Sequence, residues 1–164
     1  MSYEKTVWAG EGTLAREQEY NDHWCYERGI ITKAWLDVYA ATGDRRFYDA
    51  AKANVDQYVT ADGEILTYEP DKYNLDMICM GRTALRLFKA TGEAKYEKAC
   101  RRLIEQIKGQ PTTAEGGFWH KKLYPQQMWL DGIYMACPFL TEFAVTFGEM
   151  QWADLAAKQM TLIF

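Results

Sequence analysis

The chain has 164 residues, about one domain, with 48% hydrophobic and 26% charged residues, a composition that excludes a disordered polypeptide. Nineteen Lys and Arg against twenty-three Asp and Glu give a net charge of −4 without a basic run longer than a dipeptide, so a nucleic-acid partner is not expected. No stretch reaches the roughly eighteen apolar residues of a membrane span and the first five residues are charged rather than apolar, so a soluble, cytoplasmic protein is expected.

Three glycines organise the rest. Gly43, Gly92 and Gly148 align Ala41-Thr42-Gly43-Asp44 with Ala90-Thr91-Gly92-Glu93 and Thr146-Phe147-Gly148-Glu149, a repeat of about fifty residues. A large aromatic follows each glycine by four positions (Phe47, Tyr96, Trp152), and small or apolar residues follow by seven and eight, which is helical spacing. An apolar-periodic segment precedes each glycine. Each glycine is therefore expected to close one helix with a left-handed cap, and the acidic residue after it to open the next. In chain order this predicts αα-hairpins over about 24–60, 72–109 and 125–163 within a single all-α domain covering 1–164. The segments 61–71 and 109–124 hold the turn formers, so the long connections fall at one end of the array, the expected working face.

A carboxylate stands sixteen or seventeen residues before each glycine, at the start of the first helix of each hairpin: Glu27, Asp76 and Asp131. Each follows an aromatic (Tyr26 or Trp24, Tyr73, Trp129), a pattern suited to stacking on a sugar while acid/base groups face it. Helix capping alone would also favour Glu27 and Asp76. Asp131 lies inside the apolar run Trp129–Met135, where a buried charge needs compensation and its carboxyl would be held neutral. Elimination narrows the chemistry further. The one serine is Ser2, His23 and His120 are far apart, and neither a phosphate loop nor a dinucleotide fingerprint is present. No metal and no cofactor are expected, and the work is left to carboxylates, with His120 of the loop Glu115–His120 as a helper. The four widely spaced cysteines read as reduced core residues.

The stretches Glu115-Gly116-Gly117-Phe118-Trp119-His120-Lys121-Lys122, Tyr124–Met135 and Pro138-Phe139, preceded by Tyr73-Asn74-Leu75-Asp76, resemble the unsaturated rhamnogalacturonyl hydrolases, glycoside hydrolase family 105. More distantly they are similar to the unsaturated glucuronyl hydrolases. The resemblance runs from about Trp24 onward and implies an (α/α)6 barrel, of which three of six hairpins are present. It further implies hydrolysis of a 4,5-unsaturated uronyl oligosaccharide, a product of pectin breakdown, by hydration of the double bond. Asp131 matches the catalytic acid and base, and Asp76 the second carboxylate. Trp129 and His120 match positions lining the sugar subsite, with Gln127 and Tyr73 expected beside them. Cys79 and Thr112 stand where the family pattern has Asn and Arg, and its second-half motifs have no counterpart here.

Half a ring would leave its inner helices without an opposite wall, so the chain is expected to be an incomplete part of such an enzyme and to self-associate through its open face. The alternative from a different class is a non-catalytic αα-hairpin module that binds a peptide or protein.

Overall fold

The computed structural model describes residues 3–16 and 22–163; the extreme ends of the expected 1–164 domain lie outside them. Among the described residues seven α-helices follow one another: α1 (Tyr3–Ala15), α2 (Tyr26–Thr42), α3 (Arg45–Asp56), α4 (Gly81–Thr91), α5 (Ala94–Gly109), α6 (Leu130–Phe147) and α7 (Gln151–Leu162). Short 3-10 turns at Pro70–Lys72 and Leu75–Ile78 lead into α4. Helices α2/α3, α4/α5 and α6/α7 form the three expected hairpins, with α2, α4 and α6 side by side.

The glycine caps carry this regularity. Gly43, Gly92 and Gly148 have φ of 73°, 71° and 71°, and their N–H groups donate to the carbonyls of Tyr39, Phe88 and Ala144. A side chain in that left-handed conformation is strained, so each inner helix stops where glycine stands. Phe47, Tyr96 and Trp152, one turn into the returning helices, are all buried and anchor them to the core. The acidic residue after the glycine varies in its use: Asp44 caps α3 by accepting from the Arg46 N–H, whereas Glu149 accepts from the Trp152 indole and pairs with Arg101.

Two features were not anticipated from the sequence. Helix α1 covers α2 and α3: Thr13 accepts from the Trp35 indole at 2.8 Å, and Gly10 lies so close to Phe47 that a Cβ there would sit 2.7 Å from the ring. The loops also repeat. Thr60-Ala61-Asp62-Gly63-Glu64-Ile65 and Thr113-Ala114-Glu115-Gly116-Gly117-Phe118 each fold back on themselves, with isolated antiparallel bridges Val59–Ile65 and Thr112–Phe118 and positive φ at Gly63 and Gly116.

Inner helices meet across α4. Thr32 and Thr83 share a buried hydrogen bond of 2.8 Å, Arg86 pairs with Asp37, and Arg82 pairs with Glu142. Beyond α6 the surface turns apolar: Leu130, Ile133, Tyr134, Cys137, Pro138 and Met160 line much of a groove of about 530 Å³. No helix among the described residues is long and apolar enough to cross a membrane.

We propose that a second copy of the chain covers this groove, because Leu130, Tyr134 and Met160 are left 66%, 44% and 44% exposed in one contiguous patch. Sedimentation velocity is expected to show concentration-dependent species larger than a monomer, and Tyr134→Glu to shift them toward monomer. A wild-type chain that sediments as monomer throughout the micromolar range overturns this.

Candidate active site

Without a sheet, the chain segments that carry the chemistry must be held by other means. Segments 72–75 and 120–122 run side by side, joined by Lys122 N–H to the Lys72 carbonyl (3.1 Å) and Leu75 N–H to the His120 carbonyl (3.0 Å). The His120 N–H donates to the Gln127 carbonyl at 2.8 Å, so the backbone of this residue is pinned on both sides. Beneath them lies a relay of buried amides. Tyr68 donates to Gln106 Oε1; Gln106 Nε2 donates to the Asn74 carbonyl and to Gln110 Oε1; Gln110 Nε2 donates to the carbonyls of Tyr73 and Trp119, both at 2.8 Å. Gln159 of α7 treats the glycine loop likewise, accepting from the Phe118 N–H and donating to the Gly116 carbonyl.

This scaffold brings Asp76, His120 and Asp131 together. His120 Nε2 lies 3.1 Å from Asp76 Oδ1 and 3.7 Å from Asp131 Oδ2, and Lys121 Nζ lies 2.6 Å from Asp76 Oδ2. The Asn74 side chain accepts from the Asp76 N–H. His120 Nδ1 has no polar partner among the described protein groups and faces Gly132, where an added Cβ would sit 3.0 Å from it. The proton therefore belongs on Nε2, aimed at Asp76. Burial opposes the Asp76 charge, but hydrogen bonds from His120 and Lys121 prevail and hold its carboxyl below the ordinary carboxylate range.

Asp131, in the first turn of α6, is placed differently from expectation. Its side chain is 55% exposed, not buried. The run Trp129–Met135 is apolar on both sides of the helix: Gly132 and Met135 face the core, while Leu130 and Tyr134 are exposed on the side from which Asp131 projects. Neighbouring apolar residues therefore do not desolvate it.

Trp129 caps the start of α6 and stacks on His120, with ring centroids 4.4 Å apart and planes within 10°; Tyr124 lies against it at 5.0 Å. Gln127 does not approach the carboxylates through its side chain but accepts from the Trp129 indole at 3.1 Å, fixing the ring's orientation. Tyr73 lies elsewhere. Its ring packs against Gly109 at the end of α5 and lines a separate cleft with Tyr68, Arg102 and Gln106. The charge of the adjacent Glu27 raises the Tyr26 phenol above the ordinary range, with smaller contributions from burial and from Asp76 and Asp131.

Asp76, His120 and Asp131 offer donor atoms within 4.8 Å of one another, a spacing that a cation could use. The donor chemistry argues for protons instead, because Lys121 already places a positive charge on Asp76 and the His120 proton points at the same carboxylate.

The Glycosyl Hydrolase Family 88 model matches residues 5–163. The chain belongs to that family. Among solved structures, family 88 membership is accompanied by similarity to a glycoside hydrolase from family 105 of C. acetobutylicum ATCC 824, with a TM-score of 0.89 and 35% identity over 99% of this chain. A possible family 105 member from Klebsiella pneumoniae subsp. pneumoniae MGH 78578 shares the fold, with a TM-score of 0.75 and 23% identity over 85% of this chain. The family 88 chain spans 44% and 36% of the length of these two proteins, and its all-helical architecture is that of a partial α/α barrel.

Two outcomes follow for this family 88 chain. Gln110→Leu strands two buried carbonyls and is expected to cost about 2 to 4 kcal/mol in denaturant unfolding; a loss under about 0.5 kcal/mol would show that water replaces the amide. Because the Asp76 pKa is depressed on folding, its contribution to stability is full above the ordinary carboxylate pKa of about 3.9 and is lost as pH falls through the lower folded value. Thermal stability is expected to decline below about pH 4, with a shallower slope in Asp76→Asn; identical slopes would remove Asp76 from that balance.

Proposed function

We propose that the chain is part of an enzyme that hydrolyses oligosaccharides ending in a 4,5-unsaturated uronic acid of the rhamnogalacturonan type, by hydration of the vinyl ether double bond. The observation that carries this reading is the division between the two aspartates. Both Asp76 oxygens are occupied by His120 and Lys121, whereas Asp131 is exposed beside an aromatic face. Hydration needs one group that gives a proton to C4 and removes one from the water that attacks C5, and Asp131 is the carboxylate with room to do both. The added proton and hydroxyl give a hemiketal at C5, which opens to a C5 ketone by breaking the bond to the ring oxygen; the hemiacetal this leaves at C1 then collapses to an aldehyde and releases the adjoining sugar as an alcohol. Asp76, held as a carboxylate, fixes the Nε2 proton of His120, and Trp129, stacked between His120 and Tyr124, offers the sugar its exposed edge.

The same reading assigns the protein to the cytoplasm, where four free and buried cysteines remain reduced. The glycoside hydrolase relatives support a sugar substrate, and the 124–135 motif supports the unsaturated uronyl class.

In the complete enzyme, with an unsaturated rhamnogalacturonan disaccharide, loss of double-bond absorbance is expected, slowed by about a hundredfold to ten-thousandfold in Asp131→Asn with the helical content unchanged. Activity within tenfold of wild type would take Asp131 out of the proton transfer. Trp129→Ala is expected to raise KM by roughly tenfold with a smaller effect on kcat; an unaltered KM would place the sugar away from this ring.

A further inference from the structure

The indole of Trp129 is covered on both faces. His120 stacks on one, with ring centroids 4.4 Å apart and planes within 10°, and Tyr124 lies against the other at 5.0 Å with planes within 20°. A pyranose ring gains most from an aromatic by lying on its face, where the sugar's C–H groups meet the negative π surface. With both neighbours in place, Trp129 offers an edge.

The two neighbours are held differently. His120 is 1% exposed, its backbone is pinned through both N–H and carbonyl, and its Nε2 lies 3.1 Å from Asp76. Trp129 is fixed too, because its indole N–H donates to Gln127 Oε1 at 3.1 Å and its carbonyl accepts from the Gly132 N–H at 3.0 Å. Tyr124 is tied through its backbone: its N–H donates to the Lys121 carbonyl at 2.9 Å and its carbonyl accepts from the Gln127 N–H at 3.2 Å. Its hydroxyl has no hydrogen bond among the described residues. Leu123, Pro125 and Gln126 around it are exposed, and Pro125 restricts the Tyr124 backbone, which leaves side-chain rotation as the free movement. That rotation breaks no hydrogen bond and uncovers one face of Trp129, two residues before Asp131.

We propose that Tyr124 is the resident occupant of the sugar's place: it covers the outer face of Trp129 when no sugar is bound, and the unsaturated sugar displaces it and stacks there. The inference deepens the function proposed above and rests on it. Two rings compete for one face, so the intrinsic dissociation constant is raised by the fraction of molecules in which Tyr124 has turned away. Tyr124 thereby sets substrate affinity. A side chain at 124 that stacks more strongly on the indole weakens binding, and its removal strengthens it, whereas a tyrosine that formed a wall of the site would act in the opposite sense.

Steady-state kinetics of the complete enzyme on the unsaturated rhamnogalacturonan disaccharide read that sign. Tyr124→Ala is expected to lower KM about fivefold with a smaller effect on kcat, which corresponds to Tyr124 covering the face in roughly four molecules of five, and Tyr124→Trp to raise KM about threefold. A KM that rises in Tyr124→Ala, or that changes in neither variant, overturns the inference and leaves the proposed substrate class standing. A second measurement keeps the tyrosine: fluorine NMR of a fluorotyrosine at position 124 in the complete Asp131→Asn enzyme, titrated with the same disaccharide. The signal is expected to lose the ring-current shift imposed by Trp129 as the site saturates, and a signal that keeps this shift at saturation overturns the inference whatever the kinetics. If the disaccharide is neither bound nor turned over, the proposed function falls, and the role of Tyr124 with it.

Discussion

Buried loop backbone must be hydrogen-bonded, and among the described residues, which are helical with two isolated bridges, no sheet is present to do it. That constraint is met here by glutamines of the outer helices. Gln106 and Gln110 of the α5 end and Gln159 of α7 place amide groups against the carbonyls and N–H groups of the loops that hold Asn74, Trp119 and the glycine turn. An amide serves because it both donates and accepts, so one side chain can satisfy backbone groups of opposite character. Remove these bridges and His120 loses the backbone alignment that aims its ring at Asp76. The geometry of the cluster depends on the outer layer through that route.

Charge is distributed unevenly on the resulting platform. Asp76 is largely buried, yet its two oxygens meet a histidine N–H and an ammonium, so ionisation is favoured in spite of desolvation. Asp131 shares the histidine at longer range and keeps its solvent access. Two carboxylates of the same chemical type thus have different environments, one buried and ion-paired and the other open to solvent. His120 connects them, and its close approach to α6 is possible because position 132 has no Cβ.

Much of the frame was legible in the sequence because it rests on local rules. A glycine needing a positive φ, an aromatic one turn later and an apolar period before it specify a hairpin with no knowledge of its neighbours, and all three copies obey them. Asp76, His120, Trp129 and Asp131 converge as their motifs suggested, but Asp131 is exposed, since an apolar run on an inner helix can line an open groove as well as a core. Tyr73 packs on Gly109 because its left-handed φ of 44° turns the chain there, a reversal that side-chain pattern does not reveal. Lys121 and the glutamines look like ordinary surface residues in the sequence; their roles arise from tertiary placement. The paired loop hexapeptides beginning at Thr60 and Thr113 were a readable signal, since they are as alike as the glycine motifs.

Those loops show how one turn framework is put to two uses. Superposing the bridges Val59–Ile65 and Thr112–Phe118 sets Thr67 opposite His120 and Tyr68 opposite Lys121. In the first copy both positions serve structure: Thr67 Oγ1 accepts from the Trp24 N–H at 2.8 Å, and Tyr68 donates to Gln106. In the second copy they hold the residues that bind Asp76, which itself comes from the segment following the first loop. The first loop thus supports the amide relay, and the second supplies the groups that the relay positions. Hairpin repetition fixes where the two loops emerge, and the residues just past each shared turn decide whether the loop serves as a structural tie or carries the groups that meet Asp76.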